Sequence, residues 1–331
     1  MTIAAFISTS LRLITFTVAF LVVQPVIAQS AQSFPNKPVR LMVGANAGGG
    51  TDIIARMLAE KMTDSFKGGT FVVENKPGAS NTIAAEIAAK APADGHTLLV
   101  ATNTGQAIAP HLIKLKFDPI KDLTPVALIV TVPNVLVVGA TVPANNVQEL
   151  VTLMKAKPGD FKYASSGVGS TQHIAGEGFN FAAGVSSVHV PYKGSSQAHL
   201  DMISGNVQMM FDTTSSAISQ IKAGKLKALA VTTKTRSAEL PSVPTLAEAG
   251  VAGFEMSTWY GIYVTAGTPP EVVSKLQTEV ARIIKLPDVQ AKLRGLGGEP
   301  GSLSPDQFSQ LNRQEFERFG KLIQQANIKL D

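Results

Sequence analysis

From Pro38 onward, short apolar runs alternate with longer amphipathic ones, and this alternation limits the chain to a small set of folds. VRLMV (39–43) precedes DIIARMLAEKM (52–62), FVVEN (71–75) precedes NTIAAEIAAKA (81–91), and TLLVAT (97–102) follows the turn Asp94-Gly95. A strand, an amphipathic helix and a second strand in succession form a right-handed crossover. Such crossovers lay the strands parallel and cover both faces of the sheet. A second series starts near Val135 with VLVV (135–138), VQELVTLMKA (147–156), FKYAS (161–165) and TQHIAGEGFNFAA (171–183). It continues through VHVPY (188–192), QAHLDMIS (197–204), VQMMF (207–211) and LKALAVT (226–232). The restart implies two lobes, and a chain of 331 residues is long enough for two α/β cores. Beyond Thr268 the pattern turns helical. Thr268-Pro269-Pro270-Glu271 and Ser304-Pro305-Asp306-Gln307 both have the form of a capping box with proline at the first helical position.

One segment stands outside this rhythm. Arg12 is the only charged side chain before LITFTVAFLVV (13–23). That run has the length of a secretory signal's apolar core and is too short to cross a bilayer. Val26 and Ala28 then suit the −3 and −1 positions of a cleavage site before Gln29, so residues 1–28 are expected to be removed, a buried helix being the alternative. No other stretch approaches the roughly 18 apolar residues of a membrane span. The mature chain is therefore expected to be soluble outside the cytoplasmic membrane. The sequence contains no cysteine, which excludes a disulfide framework, thiol catalysis, cysteine metal sites and a lipoprotein anchor. The formal charge of +5 is spread without a basic helix or arginine stripe, which argues against nucleic acid as a partner.

GANAGGGTDI (44–53) places four glycines between a strand and a helix. Such a turn exposes backbone N–H groups at a helix start, where the dipole favours an anion. A P-loop requires lysine where Gly50 stands, and the dinucleotide fingerprint fails at Ile53, so both nucleotide readings are excluded. YASSGVGSTQHIAGE (163–177) repeats the pattern, with Ser170 or Thr171 as the helix cap and Gly167 and Gly169 leaving the backbone open. Two small-residue turns, one per lobe, suggest an anion clamped between lobes, with two ordinary capped turns as the alternative. Asp52 precedes Arg56 by one helical turn, so an i,i+4 pair explains it as well as a ligand-facing role does. Asp212 ends the strand VQMMFD as either a helix cap or a wall of the site.

Catalysis finds little support. G-x-S-x-G is absent, and His96, His111, His173, His189 and His199 share no metal-ligand spacing. His173 beside Ser166 or Ser170 has the elements of a Ser-His pair, but a lone histidine near a helix start is more simply a packing residue.

An ordered set of motifs covers the chain from about Phe34 to Asp331. It comprises FPNKPVRLMVGANAGGGTD, VVENKPGASNTIAAEIAAKAPADGHTLL, FDPIKDLTPVAL, YASSGVGSTQHIAGE, VPYKGSSQAHLDMISGNVQMMFD and LPSVPTLAEAGVAGFEMSTWYGIYVTAGTPPEVV. In this order they resemble the periplasmic solute receptors of tripartite tricarboxylate transporters, the Bug family. The resemblance implies an α/β type II periplasmic binding-protein fold: two lobes with mixed, mainly parallel sheets, joined by two crossover strands and closing on ligand. It implies lobe 1 from 29–130 and 257–331, and lobe 2 from 131–256. It also implies a carboxylate held by Ala47, Gly48, Gly49 and Asp52 from one lobe and by Ser166, Gly169, Ser170 and Thr171 from the other. Asn103, Thr104, Tyr192 and Asp212 would line the rest of the pocket.

One departure is visible: relatives carry V-P-[FY]-x-x-G-G, whereas Gly44 and Ala45 stand here for the proline and the ring. The implied role is a non-enzymatic receptor, monomeric, without cofactor or metal, that binds a small carboxylate and passes it to membrane transporter subunits. A partner of a sensor histidine kinase is the alternative, and a secreted hydrolase the remote one.

Overall fold

In a computed structural model, which describes residues 34–67, 69–251 and 255–325, the expected rhythm is present through both series. The first consists of β1 (Val39–Val43), α1 (Gly50–Ser65), β2 (Phe71–Asn75), α2 (Thr82–Ala89) and β3 (Thr97–Thr102). A wide helical turn (Thr104–Ile108) leads on to β4 (Leu123–Gly139). The second comprises α3 (Val147–Ala156), β5 (Lys162–Ser165), α4 (Thr171–Ala183), β6 (Val188–Pro191), α5 (Ser195–Ile203), β7 (Met209–Thr213), α6 (Thr214–Lys222) and β8 (Leu226–Val231). The chain closes with β9 (Ser257–Thr265), α7 (Pro270–Ile284), α8 (Pro287–Gly295), β10 (Glu299–Pro300) and α9 (Pro305–Gln325). The proposed signal segment lies outside the described residues.

The strands follow the order β2-β1-β3-β9-β4-β7-β5-β6. β1 runs parallel to β2 and β3, and β5 runs parallel to β6 and β7. Between these groups the pairing is antiparallel: β9 with β3 and β4, and β4 with β7 and β8. The rhythm alone implies parallel sheets, and this centre corrects it. β4 and β9 carry the chain from one strand group to the other and back, so neither belongs to a helical crossover. β4 changes partner along its length: Leu123–Pro133 pairs with β9, and Asn134–Val138 pairs with β7.

Both groups are covered on two faces. Leu41, Val43 and Ile262 pack with Leu58 of α1 and Val280 of α7, while Met42, Leu99 and Trp259 pack on the opposite face with Ala84 of α2 and Phe308 of α9. In β4, Leu136 and Val138 face α3 and α4, whereas Val135 and Val137 face α5 and α6. This period of two explains the unbroken apolar run: both faces are buried. α9 spans the two groups, with Phe308 against Trp259 and Tyr263, and Phe319 among Leu136, Phe179 and Phe211.

The two capping motifs diverge. Ser304 Oγ accepts from Gln307 N at 3.2 Å and Gln307 Oε1 accepts from Ser304 N at 2.9 Å, a complete box at the head of α9. Thr268 does not cap α7. The Pro269-Pro270 step puts Pro269 at the N-cap, and Thr268 Oγ1 instead donates to Thr265 O at 2.7 Å.

Candidate functional site

The first glycine turn joins β1 to α1. Gly48 takes the left-handed conformation (φ +78°), which glycine adopts without steric cost. Asp52, buried in the first turn of α1, accepts from Gly48 N at 2.9 Å, from Asn75 Nδ2 at 2.9 Å and from Arg56 Nε at 2.9 Å. Burial pushes its carboxyl up, but bonds from Arg56, Gly48 N and Asn75 and the Arg56 charge outweigh it and leave the group below its ordinary range. Asp52 therefore braces the turn from behind. Gly44 lies against Asn81, so closely that a Cβ there would fall 2.6 Å from Asn81 Cα. The space a side chain at position 44 would need is thus filled by a neighbouring backbone.

The second turn joins β5 to α4. Ser165 Oγ accepts from Gly167 N at 3.1 Å and donates to Gly167 O at 3.0 Å. Gly167 and Gly169 have φ of +124° and +77°. Ser170 is the N-cap, its Oγ accepting from His173 N at 3.2 Å. The two turns meet elements of the opposite strand group directly. Gly50 N donates to Ser216 Oγ at 2.8 Å, Thr171 N to Thr104 Oγ1 at 3.2 Å, Ser196 Oγ to Ala47 O at 3.3 Å and Ser80 Oγ to Val168 O.

Between them lies a cavity of about 30 Å³, room for about two water molecules. The N-terminal ends of α1, α4, α5 and α6 all line it, through Gly50-Thr51, Thr171-Gln172, the N-cap Gly194 with Ser195, and the N-cap Thr213 with Ser216. Thr104, Ser166, Thr258 and Tyr260 complete the wall with hydroxyls. No charged side chain lines it. Tyr260 Oη bonds Ser215 Oγ at 2.7 Å, and burial pushes its pKa up to about 12, so it remains a neutral phenol.

Of the residues expected at the site, Gly49, Thr104, Ser166 and Thr171 line the cavity. Ala47 sits at the rim under Ser196, while Gly48, Gly169 and Ser170 shape the turns behind it. Asp212 stands one bond removed. Fully buried, it accepts from Ser195 Oγ at 2.7 Å, Thr213 N at 2.8 Å and Gln172 Nε2 at 3.4 Å, and it meets His199 Nε2 at 2.7 Å. It orients three cavity-lining residues without lining the cavity itself. Asn103 ties β9 through Ser257 O at 3.0 Å, and Tyr192 turns away to Asp201 Oδ2 at 2.6 Å. Ser166 Oγ donates to Gln172 Oε1 at 2.8 Å, and Ser170 caps α4 by accepting from the His173 backbone N–H. The wall residues not anticipated include Gly50, Gly194-Ser195, Thr213, Ser216 and Tyr260. A usable signal was present in KGSSQ and DTTSS, which repeat the pattern of small residues between strand and helix.

The profile of the tripartite tricarboxylate transporter family receptor matches residues 54–328. The chain belongs to that family. It is 38% identical over 298 residues to a protein from the tcbD–tcbE intergenic region of Pseudomonas sp. strain P51, covering 89% of this chain and 88% of that one. Among solved structures it resembles a protein of R. palustris with adipate (36% identity, TM-score 0.86, 89% of this chain and 99% of that one). It also resembles MatC of Rhodopseudomonas palustris with bound malate (31%, TM-score 0.83, 88% and 100%). The family consists of periplasmic solute-binding receptors rather than enzymes. The mixed α/β fold built on a curled sheet matches these structures and a periplasmic binding protein, BugD (34% identity, TM-score 0.85).

Proposed function

We propose that this receptor clasps a small organic carboxylate between its lobes in the periplasm and delivers it to the membrane subunits of a tripartite transporter. The observation that carries the reading is the convergence of four helix N-termini on a cavity without charged side chains. Helix starts favour negative charge, each by up to about 2 kcal/mol when partly buried. Hydrogen bonds to a charged group contribute about 1.5–3 kcal/mol each. A few such bonds are commensurate with the ~8 kcal/mol of micromolar binding, without any arginine. The adipate and malate bound by similar proteins are carboxylates, which supports the same ligand class here.

The reading includes cleavage before Gln29, action as a monomer, and a division into lobe 1 (29–130 and 257–331) and lobe 2 (131–256). The partner change in β4 at Pro133/Asn134 supports that boundary. Calorimetry over a panel of mono-, di- and tricarboxylates, with the corresponding neutral amides, tests the ligand class. At least one acid is expected to bind near micromolar affinity while its amide does not bind. Failure of every acid, or equal binding of the amides, overturns the proposal.

A further inference from the structure

Behind the second glycine turn, three rings stack, Tyr163 and His173 buried and His189 half-buried on the edge strand β6. His189 of β6 lies 4.2 Å from His173 of α4 at 22° and 4.9 Å from Tyr163 of β5 at 25°. Each histidine holds one end of the turn. His189 Nε2 is 2.6 Å from Ser165 Oγ, the hydroxyl that brackets Gly167 on both its N–H and its carbonyl. His173 Nδ1 accepts from Gly169 N at 3.1 Å. His173 itself is 6% exposed.

A backbone amide can only donate, so Nδ1 of His173 carries no proton in this arrangement. Protonating that nitrogen would aim N–H at N–H and break the bond to Gly169. A charge on His189 would face His173 at stacking distance. The titratable groups on the packed elements are Lys162 and Tyr163 on β5, Glu177 on α4, which accepts from Tyr163 Oη, and Asp212 on β7, which accepts from Gln172 beside His173. Burial, and then the neighbouring His173, pull the pKa of His189 down to about 3, so His189 resists charging well below neutrality.

We propose that the stacked His173–His189 pair positions the second glycine turn, holding Gly167 and Gly169 in their positive-φ conformation while both rings are neutral, and that proton uptake by the pair unseats the turn and weakens ligand binding. The binding half rests on the carboxylate-receptor reading, whereas the holding half does not. An asparagine at 173 presents an amide oxygen near the place of Nδ1 but cannot titrate. Phenylalanine keeps a stacked ring and removes the acceptor.

The test measures amide hydrogen exchange at Gly169 in the ligand-free protein, and adipate and malate affinity by calorimetry, at pH 7.5 and 5.5. In His173→Phe, Gly169 is expected to exchange at least tenfold faster than in the wild type. In His173→Asn it is expected to stay protected. After correction for intrinsic rates, wild-type Gly169 loses protection at pH 5.5, and affinity falls with it, while His173→Asn holds both. If Gly169 protection is the same in wild type and His173→Phe, or if the acid loss persists in His173→Asn, the proposal is overturned. Should His173→Phe not fold, the wild-type and His173→Asn pH comparison decides alone. If neither acid binds wild type while the exchange pattern appears as expected, the positioning role stands and the choice of ligand fails.

Discussion

A methyl group at Gly50 would run into the Ser215 hydroxyl and come within 2.8 Å of Tyr260 Oη and 3.0 Å of Ser216 Oγ. At Gly49, by contrast, the nearest atoms would be Asn46 O at 3.3 Å and Ala45 Cβ at 4.0 Å. The steric demand of the first turn therefore falls one residue later than the middle of the glycine run suggests. Overpacking of this kind costs about 1–3 kcal/mol. Gly50→Ala is expected to weaken carboxylate binding tenfold or more by holding α1 off α6, with Gly49→Ala close to wild type; calorimetry on both variants checks it, and equal losses would refute the assignment.

A second expectation at this scale concerns acid. The folded protein keeps His189 neutral to about pH 3, against 6.5 for the free side chain. The unfolded chain therefore takes up a proton between those values that the folded chain refuses. The contribution of His189 is complete above pH 6.5 and drains away as pH falls toward 3. Denaturation midpoints across that window should fall less steeply in His189→Gln than in wild type. Parallel slopes would show that His189 titrates normally in the folded state.

At the scale of elements, the two capping motifs make opposite predictions although their sequences look alike. Ser304 satisfies an otherwise unpaired N–H of α9, and Ser304→Ala is expected to cost about 1 kcal/mol. Ser304→Gly, which costs only a few tenths at an N-cap, should recover most of the loss. At Thr268 the hydroxyl closes a turn after β9, so Thr268→Gly should show no such recovery over Thr268→Ala. Urea denaturation of the four variants checks both, and recovery at position 268 would restore the capping box there.

The difference shows where local sequence stops being sufficient. β1, β2 and β3 were legible to the residue because apolar runs and turn signals bound them on both sides. The 17-residue strand β4 was not, because Pro125 and Pro133 interrupt it. The strand accommodates Pro125 beside a register shift and Pro133 where the partner changes from β9 to β7. Asp52 and Asp212 were visible as charges next to glycine and serine turns. Which way each carboxylate points depended on Arg56 and Asn75 in one case and His199 and Ser195 in the other. Residues 23 to 124 positions away in sequence complete the bonds Asp52–Asn75 and Thr258–Asn134, and no local pattern carries that information.

For the molecule as a whole, the site exists only because β4, β9 and α9 tie the two strand groups together and bring four helix starts to one point. The cost of that convergence is a cleft already closed by its own contacts. Gly50–Ser216, Thr171–Thr104 and Ser196–Ala47 span it, and the cavity between them is about 30 Å³. That is room for about two water molecules, less than a carboxylate with several carbon atoms needs. On the proposed receptor reading, the ligand is expected to part these contacts on entry, by rotation about the β4 and β9 crossings. A ligand drives such a change only through its differential affinity for the two states. The chain contains no cysteine, so a single engineered pair can report on the motion without competing thiols. Ala47→Cys with Ser196→Cys places thiols on the two residues whose Oγ and carbonyl oxygen lie 3.3 Å apart across the rim. Oxidation is expected to lock the rim and abolish entry of the carboxylate found by calorimetry, and reductant should restore binding to the level of the single variants. If the cross-linked protein, with its disulfide verified by mass, binds as fast and as tightly as its reduced form, then the cleft admits ligand without opening at this rim.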